Sequence, residues 1–119
     1  MISTPKLSEA QLADYQRDGY LVARSAFGPA EVADMDHWAK ELVAMPEEPG
    51  RHWVYWEESL KEPGKKIVSR IENIAPFHDG FRALGEALKT MCAQLFGEPA
   101  VLFKEKINFK MPGGDGFKA

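Results

Sequence analysis

The number of candidate strands limits what this chain can fold into. Apolar residues recur at helical spacing in three stretches, whereas strand-like composition appears in only three or four segments. So few strands cannot close a barrel or build a two-sheet sandwich. We therefore expect an α+β fold whose strand edges stay exposed unless a continuation of the chain or a second subunit covers them.

The first two helices carry clear start and stop signals. Ser8 is a good N-cap, Gln11 can reach back to it from three positions on, and Gly19 suits the end of the helix. Pro29 favours the first position of a second helix, and the apolar stripe of that helix ends before Pro46.

The third helix is predicted to begin at Asp79, which can cap it, and to end at Gly97. Strand composition marks the remaining elements. The predicted extended or strand segments are residues 20–22, 53–56, 67–74 and 100–111.

Bulk composition narrows the class of protein. The chain has 119 residues, of which 45% are hydrophobic and 28% charged, as expected for one soluble domain spanning residues 1–119. A net charge of −3 argues against general binding to nucleic acid or anionic membranes, which need a basic surface. Because no apolar run approaches the roughly 18 residues of a membrane span, we expect a cytoplasmic protein.

Residues 101–111 alternate between two kinds of side chain, as a strand with two different faces does. One face is apolar apart from Glu105, and the other is rich in lysine. Two interpretations are open: the lysine face is solvated, or it lines a barrel lumen. In the second, Lys104 or Lys106 would meet an anionic cosubstrate and Asn108 would supply directional hydrogen bonds.

Two other features have simpler explanations. Trp53, Tyr55 and Trp56 could line a substrate entrance, although aromatic side chains on strands more often pack against a core. The glycine-rich stretch at residues 113–116 lacks the strand-to-helix context and spacing of a phosphate-binding loop. We interpret it as a turn.

The string KEKINFKMPGGDGF, residues 104–117, resembles the segment that leads into a His-x-Asp metal motif in the phytanoyl-CoA dioxygenase family. Residues 7–27, which include DGYLV at 18–22, resemble the opening helix and first strand of that family. The resemblance implies the N-terminal helices and first strands of a double-stranded β-helix, a jelly-roll or cupin-like fold that is incomplete here.

The resemblance also assigns candidate site residues. Lys106 and Asn108 match strand positions that face 2-oxoglutarate in family members, and Lys104 lies on the same side. Arg70 matches a basic position on an earlier strand, although a surface ion pair with Glu72 explains it equally well.

No catalytic residue and no metal ligand is expected within the chain. The family holds Fe(II) with two histidines and one carboxylate, and the resemblance places its His-x-Asp motif after residue 119. His37, His52 and His78 form no His-x-Asp pair. They are expected to be surface or packing residues.

The complete parent is expected to be an Fe(II)- and 2-oxoglutarate-dependent dioxygenase that hydroxylates a small organic or acyl substrate. The segment alone is predicted to be inactive and to bind neither cofactor tightly. The alternative is a non-catalytic binding or dimerisation module that self-associates through open strand edges. The sequence does not identify the substrate, because fold-level resemblance does not fix it.

Overall fold

The computed structural model describes residues 2–116 and contains three helices and one three-stranded antiparallel sheet. The predicted α+β class is confirmed at this level. Predictions that concern residues 117–119 lie outside the described residues. The elements are α1 (Glu9–Asp18), α2 (Pro29–Ala44), β1 (Trp53–Glu58), β2 (Lys66–Glu72), a 3-10 turn (Ala75–Phe77), α3 (Asp79–Phe96) and β3 (Lys106–Asn108).

The predicted start and stop signals of α1 and α2 are confirmed. The hydroxyl of Ser8 accepts the backbone N–H of Gln11 at 3.1 Å, and the Gln11 side chain accepts the N–H of Ser8 at 2.9 Å. Gly19 ends α1 in the left-handed conformation at φ 79°. At the start of α2, Glu31 Oε1 accepts the N–H of Gly28 at 3.0 Å, which satisfies a donor that the helix leaves free.

The cap of α3 differs from the prediction. Asp79 is the first residue of the helix, and the cap is His78, whose Nδ1 accepts the N–H of Phe81 at 3.2 Å. The 3-10 turn before it leaves His78 in an extended conformation, at φ −141°, which points its ring back at the helix. Asp79 instead forms an ion pair with Arg82 at 2.9 Å.

The sheet has the order β1-β2-β3, with neighbouring strands antiparallel. In the first ladder Tyr55 pairs with Arg70 and Trp56 with Val68, so Ser69 has no partner on β1. Such a bulge locally breaks the alternation of side chains. Val68 consequently joins Ile71 on the face that points toward the helices.

The buried core lies between α2 and that inner face of the sheet. Leu42 of α2 contacts a cluster formed by Val68, Ile71 and Ile74, all almost inaccessible to solvent. Burying an aliphatic side chain of this size stabilises a fold by about 1.5–3 kcal/mol. This contact decides which face of the sheet is inner and leaves the opposite, outer face to polar and aromatic residues.

Three strand predictions need correction. Residues 20–22 form no strand, because no neighbouring strand pairs with them. The strand predicted at 67–74 ends at Glu72, since Asn73 takes a left-handed φ of 60°. The strand predicted at 100–111 is reduced to β3, because β2 ends opposite Lys106 and offers no partner to the residues before it.

Within residues 2–116, none of the helices has both the length and the apolar character that crossing a bilayer requires.

Candidate functional site

Three of the four predicted site residues meet on the outer face of the sheet. Arg70 of β2 pairs directly with Asn108 of β3, and two residues on, Glu72 pairs with Lys106. Directly opposed residues, and residues two apart on one strand, share a face. On its other side Arg70 pairs with Tyr55 of β1. We call these five residues the outer-face cluster.

Arg70 is the most constrained member of the cluster. Its guanidinium carbon lies 4.2 Å from the centre of the Tyr55 ring, within the range of a cation–π contact. Its Nε lies 3.7 Å from Glu72 Oε1, so the predicted ion pair is present but is too long for a hydrogen bond. Within residues 2–116 the buried Nε of Arg70 has no hydrogen-bond acceptor.

Lys104 is not brought into the cluster. It lies before β3, is exposed, and its Nζ is 5.8 Å from the ring centre of Phe103. The apolar side chains expected on the inner face at this end are exposed instead, Val101 at 88% and Phe103 at 90%. Lys106 and Asn108 are also exposed, so the lysine face is solvated here, and anion binding by that face stays a prediction.

The aromatic residues of β1 are more exposed than the packing interpretation predicts. Trp53 and Trp56 retain 56% and 43% of their accessible surface, and Tyr55 retains 40%. Trp56 donates its indole N–H to Glu47 at 3.1 Å. Tyr55 is the member of this group that contacts a predicted site residue.

The glycine-rich turn that follows β3 is anchored to the hairpin between β1 and β2. Leu60 donates its N–H to the carbonyl of Gly113 at 2.8 Å, and Asp115 donates its N–H to Glu57 Oε1 at 2.8 Å. Gly113 has φ +87°, and a Cβ built there would collide with the hydroxyl of Ser59. Position 113 therefore requires glycine both for its conformation and for space.

A second polar group joins α2 to α3. Glu41 accepts hydrogen bonds from Nε2 of His37 and Nε2 of His78, each at 2.9 Å. The hydrogen bond from His78 lowers the pKa of the Glu41 carboxyl below its usual value; desolvation opposes this, and the charge of His37 supports it.

This histidine–glutamate group is poorly suited to a metal ion. Because the N–H of Phe81 donates to Nδ1 of His78, the ring proton must sit on Nε2, the atom that faces Glu41. A metal at that nitrogen would require the opposite tautomer and the loss of the cap. Across residues 2–116, no three or more His, Cys, Asp and Glu side chains are grouped so as to hold a metal ion.

An open apolar groove of about 390 Å³ separates α3 from residues 100–107. The side of α3 that faces the groove is only partly covered, and Leu88 is 44% exposed. Glu105 lines the groove, and its carboxylate accepts the N–H groups of Ile74 and Ala75.

Fold and cluster together define a class: an α+β chain whose antiparallel sheet is apolar toward its helices and carries cationic and amide side chains on the other face. A family model described as "Phytanoyl-CoA dioxygenase (PhyH)" matches residues 15–118, which is most of the chain. The chain belongs to the phytanoyl-CoA dioxygenase family, and the predicted family is confirmed.

Three curated relatives are similar along nearly the whole chain. A 2-aminoethylphosphonate dioxygenase from uncultured bacterium HF130_AEPn_1 is 36% identical over 92% of this chain and 42% of its own length. A methylphosphonate hydroxylase from Gimesia maris is 36% identical over 95% of this chain and 43% of its own. A protein named dioxygenase lolE1, from Epichloe uncinata, is 32% identical over 94% of this chain and 44% of its own.

The chain thus spans less than half the length of the curated relatives that it matches. No solved structure matches it. Sequence reasoning missed two members of the cluster as site residues, Tyr55 and Glu72. The signal that could have found them is the register of the hairpin, which places both beside Arg70.

Proposed function

We propose that residues 1–119 are the first part of a single double-stranded β-helix domain in a cytoplasmic, Fe(II)- and 2-oxoglutarate-dependent oxygenase. Family membership supports the proposal, as do the names of the three relatives, each a dioxygenase or a hydroxylase. The antiparallel sheet packs one face against the helices and leaves its polar face free, as expected for a wall whose polar face lines the lumen of a complete jelly-roll.

The observation that carries the proposal is the pairing of Arg70 with Asn108, with Lys106 on the same face. The Nε of Arg70 is buried and has no hydrogen-bond acceptor among residues 2–116, although a buried donor normally has one. A dicarboxylate supplies acceptors to a guanidinium, an ammonium and an amide together. These residues therefore fit 2-oxoglutarate, and Lys104 adds positive charge just before the start of β3.

In this proposal the iron and 2-oxoglutarate, when bound, supply the activation of dioxygen that hydroxylates a C–H bond. The chain's own residues bind and orient the cosubstrate: Arg70 and Lys106 provide positive charge, and Asn108 provides a directional hydrogen bond. The iron ligands are assigned to residues beyond this chain. The chain alone is therefore proposed to be inactive and to hold neither cofactor tightly.

The substrate is proposed to be a small organic molecule. Two relatives carry 2-aminoethylphosphonate and methylphosphonate in their names. These two phosphonates are the first compounds to test.

The test compares the 119-residue chain with a polypeptide extended through the His-x-Asp motif and the remaining length of the relatives. Both are incubated with Fe(II), 2-oxoglutarate and each phosphonate, and succinate is measured. We expect succinate from the extended protein only, and less of it from Arg70→Gln at limiting 2-oxoglutarate. Turnover by the 119-residue chain alone would contradict the assignment of the iron ligands.

A second candidate function is a dimerisation module. The exposed apolar side chains of Val101 and Phe103, next to the open edge of β3, favour it. Light scattering coupled to size-exclusion chromatography separates the two candidates. A stable dimer that Phe103→Ser converts to monomer, without any effect of 2-oxoglutarate, would support the module instead.

A further inference from the structure

The cation of Arg70 lies between two residues to which no role has been assigned. The ring of Tyr55 lies 4.2 Å from the guanidinium carbon, and the carboxylate of Glu72 lies 3.7 Å from Nε. The side chains of Arg70 and Glu72 are mostly covered, with 29% and 19% of their surface exposed. An arginine held in this way has few orientations available.

Tyr55 and Glu72 act on Arg70 in opposite directions. An aromatic ring attracts the cation and restricts its position while leaving its N–H groups free to donate. The carboxylate of Glu72 instead partly neutralises the positive charge that an incoming anion would need. Glu72 also pairs across the sheet with Lys106, so it opposes the second cation of the cluster as well.

The distance of 3.7 Å between Glu72 and Arg70 matters for this effect. At that distance the pair has Coulomb attraction without a hydrogen bond, so an incoming carboxylate would gain hydrogen bonds that Glu72 does not make. The same ligand would be repelled by the charge of Glu72. Glu72 therefore compensates the positive charge of the cluster while no ligand is bound, and it lowers the affinity for any anion that binds.

We propose that Tyr55 and Glu72 set the affinity of the outer-face cluster for carboxylate ligands: Tyr55 is the positioning residue that holds Arg70, and Glu72 is a built-in competitor of the ligand. The inference rests on the proposed function for the identity of that ligand, 2-oxoglutarate. It concerns how strongly this chain's own residues bind an anion, which is measurable without iron and without turnover.

The experiment titrates 2-oxoglutarate into the ¹⁵N-labelled 119-residue chain and follows the Nε–H signal of Arg70 and the side-chain amide signal of Asn108. Glu72→Gln is expected to lower the dissociation constant by about twofold to fivefold, the range of a partly exposed charge interaction. Glu98→Gln changes the net charge equally at an exposed position outside the cluster and is the matched control. It should leave the dissociation constant unchanged.

Tyr55 is tested with a pair of substitutions. Tyr55→Leu should raise the dissociation constant by about twofold to fivefold, whereas Tyr55→Phe keeps a ring face and should stay within about twofold of the original. A backbone ¹H–¹⁵N spectrum of each variant establishes that the sheet is retained. A purely structural role for Glu72 would weaken binding in Glu72→Gln, so a gain in affinity is the discriminating result.

Three outcomes overturn the inference: no shift of either signal in the original chain and in Glu72→Gln, weaker binding in Glu72→Gln, or equal binding in Tyr55→Leu and Tyr55→Phe. Its failure is distinguishable from failure of the proposed function. If the extended protein forms succinate but these substitutions leave the affinity unchanged, the oxygenase proposal stands and this inference fails. If the affinities change as expected but no succinate forms, the anion subsite stands and the oxygenase proposal fails.

Discussion

The two faces of the sheet are built on different principles. The inner face is aliphatic, and Ile71 at its centre is fully buried against Leu42 of α2. The outer face, one residue away on the same strand, carries Arg70 between an aromatic ring and a carboxylate, and its buried Nε finds no acceptor among residues 2–116. Apolar contacts within the chain cover the inner face, whereas the outer face carries hydrogen-bond donors that a bound molecule could use.

This difference separates stability from binding. Apolar burial is the main favourable term in folding, so substitutions on the inner face should change the free energy of unfolding. Lys106 and Asn108 on the outer face are exposed, and exposed polar groups contribute little to stability, so substitutions there should change binding. The predictions below test that separation, beginning with the largest expected effect.

Ile71→Ala should lower the free energy of unfolding by about 2–5 kcal/mol, because it leaves a cavity in the centre of the core. Asn108→Ala, on the neighbouring strand but on the outer face, should cost about 0.5 kcal/mol or less. Urea denaturation followed by circular dichroism measures both. If the two substitutions lower the free energy of unfolding equally, the inner face is not the one that carries the stability.

Glu105→Ala should lower the free energy of unfolding by about 1–3 kcal/mol, since the N–H groups of Ile74 and Ala75 lose their acceptor. Glu105→Gln keeps an acceptor oxygen and serves as the matched control. Equal losses for the two substitutions would mean that the negative charge matters, not the hydrogen bonds. Hydrogen exchange of the two amides, read by NMR, reports the contact directly.

Gly113→Ala should cost roughly 1–2 kcal/mol, because a side chain strains the left-handed conformation and meets the hydroxyl of Ser59. Gly85→Ala is the control: it lies inside α3 with open space around it and should be neutral or stabilising by up to about 1 kcal/mol. Thermal unfolding of both variants checks the prediction. A neutral Gly113→Ala would show that the anchoring of this turn to the β1–β2 hairpin adds nothing to stability.

Local signals predicted the helices well because capping acts over a few neighbouring residues. The box formed by Ser8 and Gln11 and the glycine ends of α1 and α3 are all present. The exception, His78 in place of Asp79, depends on the 3-10 turn before α3, which local residue preferences did not reveal.

Strand length and site membership could not be predicted in the same way. The alternation at residues 101–111 indicates a strand, but pairing needs a neighbour, and β2 stops at Glu72. The meeting of Arg70 with Asn108 likewise depends on register between distant segments, and the bulge at Ser69 shifts the faces of β2. Family resemblance suggested Arg70 and Asn108; register added Tyr55 and Glu72.

The smallest expected effect concerns the edge of the inner layer, where Glu41 of α2 meets His78 at the start of α3. The pKa of Glu41 is lowered in the folded chain, chiefly by the hydrogen bond from His78. A lowered carboxyl pKa contributes stability above the pKa of the unfolded state, and this contribution is lost as the pH falls through the folded-state pKa. Acidification should therefore destabilise the original chain more than Glu41→Gln.

Urea denaturation at a series of pH values from neutral to acidic tests this, with Glu98→Gln as the control for loss of one negative charge. The difference in unfolding free energy between the original chain and Glu41→Gln should shrink as the pH falls, whereas Glu98→Gln should follow the original chain. A constant difference across the series would mean that Glu41 contributes by packing rather than by charge. In that case stability at this edge would come from packing, as it does in the core between α2 and the sheet.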